Sequence, residues 1–318
     1  MRSGESVRTL GVVGTGAIGV SWVALGLEHG LDVVAWDPAA GAEERLRAQV
    51  SPLVEPQGRL RPSVSRPTQS AGALRFADSL AEVGAAADLV LESGPERLDV
   101  KREIFAALDA AAAPDVLLTS SSSGLMPSTF QDACTHHSER VLVVHPFNPP
   151  HLVPLVEVVG GSATAPEAVE AALDTLRHLG KRPIHIRREV PGHVANRLQA
   201  ALWREAYHLV DQGIVSVADI DTAIADGPGL RWSLLGPFAT QHLSGGPGGL
   251  SHVLEHLGPP MVDWWDDLGH PELTAGLVEK LVDGVDDELD GTSADDLVAR
   301  RDQALRRLLE IKTDLGLS

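Results

Sequence analysis

The feature that most constrains the chain is Gly14-Thr15-Gly16-Ala17-Ile18-Gly19, a GxGxxG run between the apolar segment Thr9–Val13 and the helical pattern Ile18–Glu28. Each glycine has its own physical task. Gly14 permits a tight turn, Gly16 lets the backbone approach a pyrophosphate, and Gly19 lets helix and strand pack closely. The backbone N–H groups that open the helix, from Ala17 and Ile18, lack intrahelical partners and sit at its positive dipole end, where an anion binds. Leu31–Trp36 reads as the next strand, and Asp37 ends it 18 residues after Gly19. A carboxylate there accepts from the ribose hydroxyls of an adenosine and repels a 2′-phosphate. With no Arg adjacent to Asp37, the pattern predicts NAD(H) rather than NADP(H).

Thr9–Leu27 carries no charge and follows Arg2 and Arg8, so a targeting segment is the rival explanation of the same residues. Gly11, Gly14, Gly16, Gly19 and Gly26 interrupt it, and a strand-to-helix turn accounts for them better. The net charge of −18 disfavours nucleic acid and anionic membranes as partners, so an anionic ligand needs a local positive device such as this helix start. Cys134 is the single cysteine, which removes disulfide frameworks and cysteine-rich zinc sites and suits a reducing cytoplasm.

With 318 residues the chain has room for two ordinary domains. The first half alternates short apolar runs with helical patterns, the signature of parallel βαβ units. Strands are expected at Thr9–Val13, Leu31–Trp36, Ala87–Leu91, Val116–Thr119, Val141–His145, Leu155–Val159 and Arg182–Ile186. From Val194 onward only helical periodicity remains, in Val194–Gln212, Val217–Ala225, Leu250–Leu257, Leu273–Val285 and Ser293–Leu315. The expected architecture is an α/β dinucleotide-binding domain of the Rossmann type over residues 1–190, followed by an all-α domain over 191–318 for substrate binding and dimerisation. Glu189-Val190-Pro191-Gly192 is the boundary.

Open parallel sheets bind ligands at the carboxyl ends of their strands. Ser120–Ser123 follow one strand, and Val141–Val144 delivers His145 to the same edge. Glu157 lies in the next strand, 12 residues after His145. A lone His or Ser is more often a cap or a satisfied core group. Together they suit hydride chemistry at a carbonyl, which needs a proton donor beside the oxygen and further donors to polarise it.

These residues also carry a resemblance. The chain resembles the 3-hydroxyacyl-CoA dehydrogenase family, especially the branch that contains L-gulonate 3-dehydrogenase (lambda-crystallin) and carnitine dehydrogenase. The likeness runs through the Gly14–Gly19 loop, Ser120–Ser128, His145–Pro150 with Leu155-Val156-Glu157, Pro191–Leu198, Gly227–Trp232 and Arg300-Arg301-Asp302. The resemblance implies that His145 is the general acid when a 3-oxo group is reduced and the base in the reverse oxidation. It implies that Glu157 binds the other imidazole nitrogen, and that Ser123 and Asn196 donate to the substrate oxygen. Asn148 joins the expected substrate-contacting residues. The family also uses positions matching Glu96 and Lys101, with Ser123, around the nicotinamide half of the cofactor. Here Ser93-Gly94-Pro95 replaces the usual small apolar stretch between Glu92 and Glu96, and the alternative for Lys101 is a solvated first-turn residue.

Relatives acting on CoA thioesters tend to have a lysine-rich region after the second strand. Residues 38–100 contain no Lys, although Arg45, Arg47, Arg59, Arg61 and Arg66 could substitute. Gly227–Trp232 resembles the loop of the free-acid branch, where Arg231 would grip a substrate carboxylate with its planar fork. The expected partner is a small 3-hydroxy or 3-oxo acid of gulonate-, carnitine- or polyketide-like type, with a 3-hydroxyacyl-CoA thioester as the alternative, and the resemblance implies a homodimer. A crystallin-like or NAD-sensing protein is the non-enzymatic alternative; it would need none of Ser123, His145, Glu157 and Asn196. No metal is expected. His252 and His256 fit an HxxEH pattern, but they follow a Gly/Pro loop in a domain whose relatives bind no metal. A 6-phosphogluconate-dehydrogenase-like enzyme needs a catalytic Lys on the long helix Val194–Gln212, which has none. Trp232, Trp264 and Trp265 are expected in core or dimer contacts rather than as a ligand platform.

Overall fold

A computed structural model describes residues 1–54 and 72–317; Arg59, Arg61 and Arg66 lie outside them. Contacts divide the chain into two compact units, Met1–Arg197 and Leu198–Ser318.

The first unit is an eight-stranded sheet with helices on both faces. Its strands are β1 (Thr9–Val13), β2 (Asp32–Trp36), β3 (Leu74–Phe76), β4 (Leu89–Glu92), β5 (Leu117–Ser120), β6 (Val141–Pro146), β7 (Leu155–Gly160) and β8 (Arg182–Ile186), in the order β3-β2-β1-β4-β5-β6-β7-β8. The chain reverses direction across the sheet between β1 and β4, both parallel to their neighbours. That switch point leaves a crevice at the carboxyl ends of the two strands, where such sheets hold dinucleotides.

Side-chain alternation along the strands builds two cores. Leu10, Val12, Leu89 and Leu91 face one way and pack with α1 (Ala17–Glu28), α2 (Ala42–Val54) and α5 (Pro166–His178) through Trp22, Val23, Leu46 and Leu176. Val90, Leu118 and Val143 face the other way onto α3 (Leu80–Ala86) and α4 (Leu98–Ala111) through Val83, Phe105 and Leu108. A sheet covered on both faces explains why its central strands read as unbroken apolar runs.

Two features depart from a simple βαβ series. β7 runs antiparallel to β6, with His145 opposite Glu157. The eight residues between these strands leave no room for a crossover helix, so the chain turns back instead. β3 and α3 carry no period of their own in the sequence; β3 has three residues and leans on β2.

The second unit takes the rest of α6 (Ala195–Asp211) and then α7 (Val217–Ala225), α8 (Pro228–Trp232), α9 (Pro237–Ser244), α10 (Gly249–Asp267), α11 (Ala275–Leu289) and α12 (Ala294–Asp314). α10 runs ten residues beyond the expected Leu257, straight through Pro259 and Pro260. The three tryptophans, expected in core or dimer contacts, lie outside the core of the chain. Trp232, Trp264 and Trp265 are exposed by 43%, 60% and 63% within the chain. Among the described residues no helix is long and apolar enough to cross a membrane, and Thr9–Leu27, the rival targeting segment, is the β1–α1 turn.

Candidate active site

The glycine loop joins β1 to α1. Gly14 adopts φ +85°, and a side chain there would press on the Ser93 carbonyl oxygen at 2.7 Å. A Cβ at Gly19 would collide with the Gly14 carbonyl oxygen, which is why helix and loop close up only on glycine. Gly16 differs, since a Cβ there would meet nothing within 4 Å. Open space therefore stands over the N-terminus of α1, whose cap carries no side-chain hydrogen bond, and Gly16 and Ala17 are exposed there beside half-buried Ile18. An anionic cofactor fits this cradle on backbone amides alone. Asp37 follows β2 beside it. Its Oδ2 accepts from Thr15 N at 2.8 Å and from the Thr15 hydroxyl at 3.1 Å, so the carboxylate is aimed across the loop.

On the far side of the switch point, β4 ends in Glu92, which is fully buried. Its carboxylate receives the Lys101 ammonium at 2.9 and 3.1 Å, the Ser120 hydroxyl at 2.6 Å and the Gly94 amide at 2.6 Å. Lys101 is 1% exposed, so the solvated alternative is corrected: the first turn of α4 points this side chain inward to Glu92, with Glu96 Oε2 at 3.6 Å. Glu96 is exposed and serves the loop after β5. One of its oxygens accepts from Ser122 Oγ at 2.6 Å, Gly124 N at 2.8 Å and Leu125 N at 3.1 Å. Burial pushes the Glu96 carboxyl up, but these donors and Lys101 outweigh it and hold the group below the usual glutamate range.

That loop presents Ser123, exposed at the end of β5, to His145. The His145 Nε2 lies 3.1 Å from Ser123 Oγ, and its Nδ1 lies 2.8 Å from Glu157 Oε2. The antiparallel β6–β7 pairing sets the two side chains opposite each other on the same face, a relation the 12-residue spacing alone does not fix. Glu157 is fully buried, and its other oxygen accepts from Val194 N and Ala195 N, both at 2.9 Å, at the start of α6. Burial raises the Glu157 carboxyl, yet the His145 donor and the two amides prevail and keep it lower than an ordinary glutamate. An ionised Glu157 can only accept, so Nδ1 of His145 carries a proton. Nε2 is then the site that takes up or gives up the second one.

The remaining expected residues lie nearby in sequence or elsewhere. Asn196 sits half-buried in the first turn of α6, directly after the residues that Glu157 holds. Asn148 is exposed, next to the cis bond to Pro149. Arg231 is exposed on α8 in the second unit. The sequence reading did not single out Glu92, Ser122 or His193. A carboxylate closing the apolar run Leu89-Val90-Leu91 was the available signal for Glu92. For His193 it was an imidazole inside a Pro-Gly turn. Among the described residues no group of three or more His, Cys, Asp or Glu side chains is placed to hold a metal ion.

Comparison with known proteins identifies the family. The model of the 3-hydroxyacyl-CoA dehydrogenase NAD-binding domain matches residues 9–190, and that of the same family's C-terminal domain matches residues 192–279. An L-carnitine dehydrogenase of Pseudomonas sp. is 47% identical over 311 residues, covering 96% of this chain and 94% of that protein. Among solved structures, 5-formyl-3-hydroxy-2-methylpyridine 4-carboxylic acid 5-dehydrogenase, an NAD+-dependent dismutase, superposes with a TM-score of 0.83 at 27% identity, covering 96% of this chain and 99% of that one. The 3-hydroxybutyryl-CoA dehydrogenase of Escherichia coli K12 superposes with a TM-score of 0.60 at 30% identity, over 75% of this chain and 50% of that one. The chain belongs to the 3-hydroxyacyl-CoA dehydrogenase family and is an NAD-dependent oxidoreductase acting on a CH–OH group.

Proposed function

We propose that this family member interconverts a 3-hydroxy acid and its 3-oxo acid on substrates that carry a free carboxylate. The observation that carries the chemistry is the Ser123–His145–Glu157 chain of hydrogen bonds at the edge of the cofactor crevice. Gly14, Gly16, Gly19 and the amides of Ala17 and Ile18 would hold the pyrophosphate, and Asp37 the adenosine ribose. Glu96 and Lys101 would border the nicotinamide end, Lys101 through Glu92 and the loop it braces. When bound there, the cofactor would supply hydride exchange with the carbon that bears the oxygen.

The protein's own residues handle the proton and the charge on oxygen. In the reducing direction His145 Nε2 gives its proton to the oxygen as negative charge gathers there; in the oxidising direction it removes the hydroxyl proton. Glu157 holds the ring in the tautomer that leaves Nε2 free for this exchange. Ser123, and Asn196 from the first turn of α6, donate to the same oxygen and stabilise its alkoxide character.

Three observations favour a free acid over a thioester. The relative from Pseudomonas is named for carnitine, itself a 3-hydroxy acid with a free carboxylate. The dismutase of known structure acts on a pyridine carboxylic acid. Residues 38–100 carry no lysine to meet the phosphates of CoA. A guanidinium such as that of Arg231 would suit a carboxylate with its bidentate fork. A homodimer is part of the same reading, because exposed Trp203, Phe238, Trp264 and Trp265 leave the helical unit with a large uncovered apolar surface. A cytoplasmic enzyme suits its lone, buried Cys134.

The test is an NADH assay across 3-dehydrocarnitine, a sugar-derived 3-oxo acid, a polyketide-like 3-oxo acid and acetoacetyl-CoA, with Arg231→Ala in parallel. The free-acid reading expects one of the first three to lead and Arg231→Ala to raise its KM. Acetoacetyl-CoA leading, with Arg231→Ala silent, overturns it.

A further inference from the structure

We propose that His193 is a positioning residue for the Ser123–His145 pair: its buried imidazole anchors the Ser122 carbonyl and thereby aims the hydroxyl of Ser123. The inference rests on the reading of His145 as proton donor and acceptor.

His193 lies between β8 and α6 and is 1% exposed. It adopts φ +52°, a left-handed conformation that a residue other than glycine keeps only when its surroundings hold it there. What holds it is visible. Its Nε2 is 3.1 Å from the Ser122 carbonyl oxygen, and because a carbonyl only accepts, Nε2 carries the proton. That carbonyl belongs to the peptide joining Ser122 to Ser123, so its direction sets the backbone from which the Ser123 hydroxyl reaches His145. Glu96 holds the same turn from its other end, through Ser122, Gly124 and Leu125.

The His193 and His145 rings lie 5.1 Å apart, tilted by 39°. The titratable groups facing His193 are His145 on β6, Glu157 on β7 and Glu96 before α4. Burial and the neighbouring His145 push the His193 imidazolium down, against the Ser122 carbonyl and the two carboxylates, which favour it. Its Nδ1 is buried with no partner among the described residues, so a second proton there would meet no acceptor. The ring therefore stays neutral, keeps its Nε2–H on Ser122, and adds no positive charge beside the proton-transferring nitrogen.

The test compares kcat and KM of the full chain for wild type, His193→Gln, His193→Phe, Ser123→Ala and the double variant His193→Phe/Ser123→Ala. Phe keeps a ring and removes the donor, whereas Gln offers an amide N–H at similar reach. His193→Phe is expected to lower kcat about tenfold, the scale of one buried acceptor left unpaired, with the KM for NADH within about twofold. His193→Gln is expected to recover most of that loss. The double variant is expected to be no slower than Ser123→Ala, since without the hydroxyl there is nothing left to aim. Full activity in His193→Phe, or losses that multiply in the double variant, overturns the proposal.

Imidazole 15N spectra of the wild type give a readout independent of turnover and of whether His193→Phe folds. They are expected to show His193 as the neutral Nε2–H tautomer. An Nδ1–H tautomer, or a His193 ring protonated on both nitrogens at neutral pH, overturns the proposal. Wild-type activity in His145→Ala would overturn the acid–base reading itself, a failure distinct from either of these.

Discussion

His145 and Glu157 face each other across the antiparallel β6–β7 pairing, Nδ1 to Oε2 at 2.8 Å, while the carboxylate's other oxygen receives two backbone amides from the start of α6. One buried acid thus orients the imidazole and fixes the turn that carries Asn196. Replacing Glu157 by Gln disturbs both. An amide oxygen can still accept from Nδ1, but the NH₂ group then opposes the amides of Val194 and Ala195. Glu157→Gln is expected to lower kcat by about 10²-fold, with NADH binding changed by no more than about threefold. Steady-state kinetics and cofactor titration check this, and a variant with wild-type kcat would leave the carboxylate without a role.

Acid should destabilise the first unit in two stages. Burial makes folded His193 bind a proton less readily than the unfolded chain, so its cost begins as pH falls below the ordinary value of 6.5. Glu157, Glu96 and Asp109, the last buried on α4 with the Arg140 guanidinium 2.8 Å from its Oδ1, are held below their ordinary values of 4.5, 4.5 and 3.8. Their stabilisation is complete above those values and is lost as pH falls from them through the lower folded values. Melting temperature measured from pH 8 to pH 3 should decline gently below about 6.5 and steeply below about 4.5. His193→Gln should flatten the first limb, and Glu157→Gln should reduce the second.

Lys101 and Glu92 are a buried ion pair, and removing one partner strands the other. Lys101→Met is expected to cost about 3–5 kcal/mol of unfolding free energy, and the double change Lys101→Met/Glu92→Gln appreciably less. Urea titration of the four proteins in this cycle measures the coupling. Simple additivity would mean that the two side chains do not stabilise each other.

Asp37 aims its carboxylate across the glycine loop. Asp37→Ala is expected to weaken NADH binding by about 10- to 100-fold, as for loss of hydrogen bonds to a charged group, and to narrow the preference over NADPH. Fluorescence titration with both cofactors tests this. Unchanged affinity for NADH would place the ribose elsewhere.

Much of this was legible in the residues because local chemistry and tertiary role coincide. The glycine loop is readable since only glycine tolerates the turn at Gly14 and the close contact at Gly19. The strands are readable because a sheet buried on both faces demands continuous apolar runs. Lys101 was harder to place: a first-turn lysine has the same sequence pattern whether it points to solvent or to Glu92, and only the end of β4 decides. His193 was hidden for a related reason, since its acceptor lies 71 positions away in the chain. The tryptophans of the helical unit were expected in core or dimer contacts, and the residue type alone does not separate a ring packed inside the chain from one left on its surface.

The most direct test of the central claim is the rate of NADH oxidation with a 3-oxo acid, 3-dehydrocarnitine first, by wild type and His145→Ala. With the proton donor gone, the variant should lose about 10²- to 10⁴-fold in kcat while it stays folded and keeps its NADH affinity. Equal rates in the two proteins would contradict the assignment of His145 as the acid–base residue.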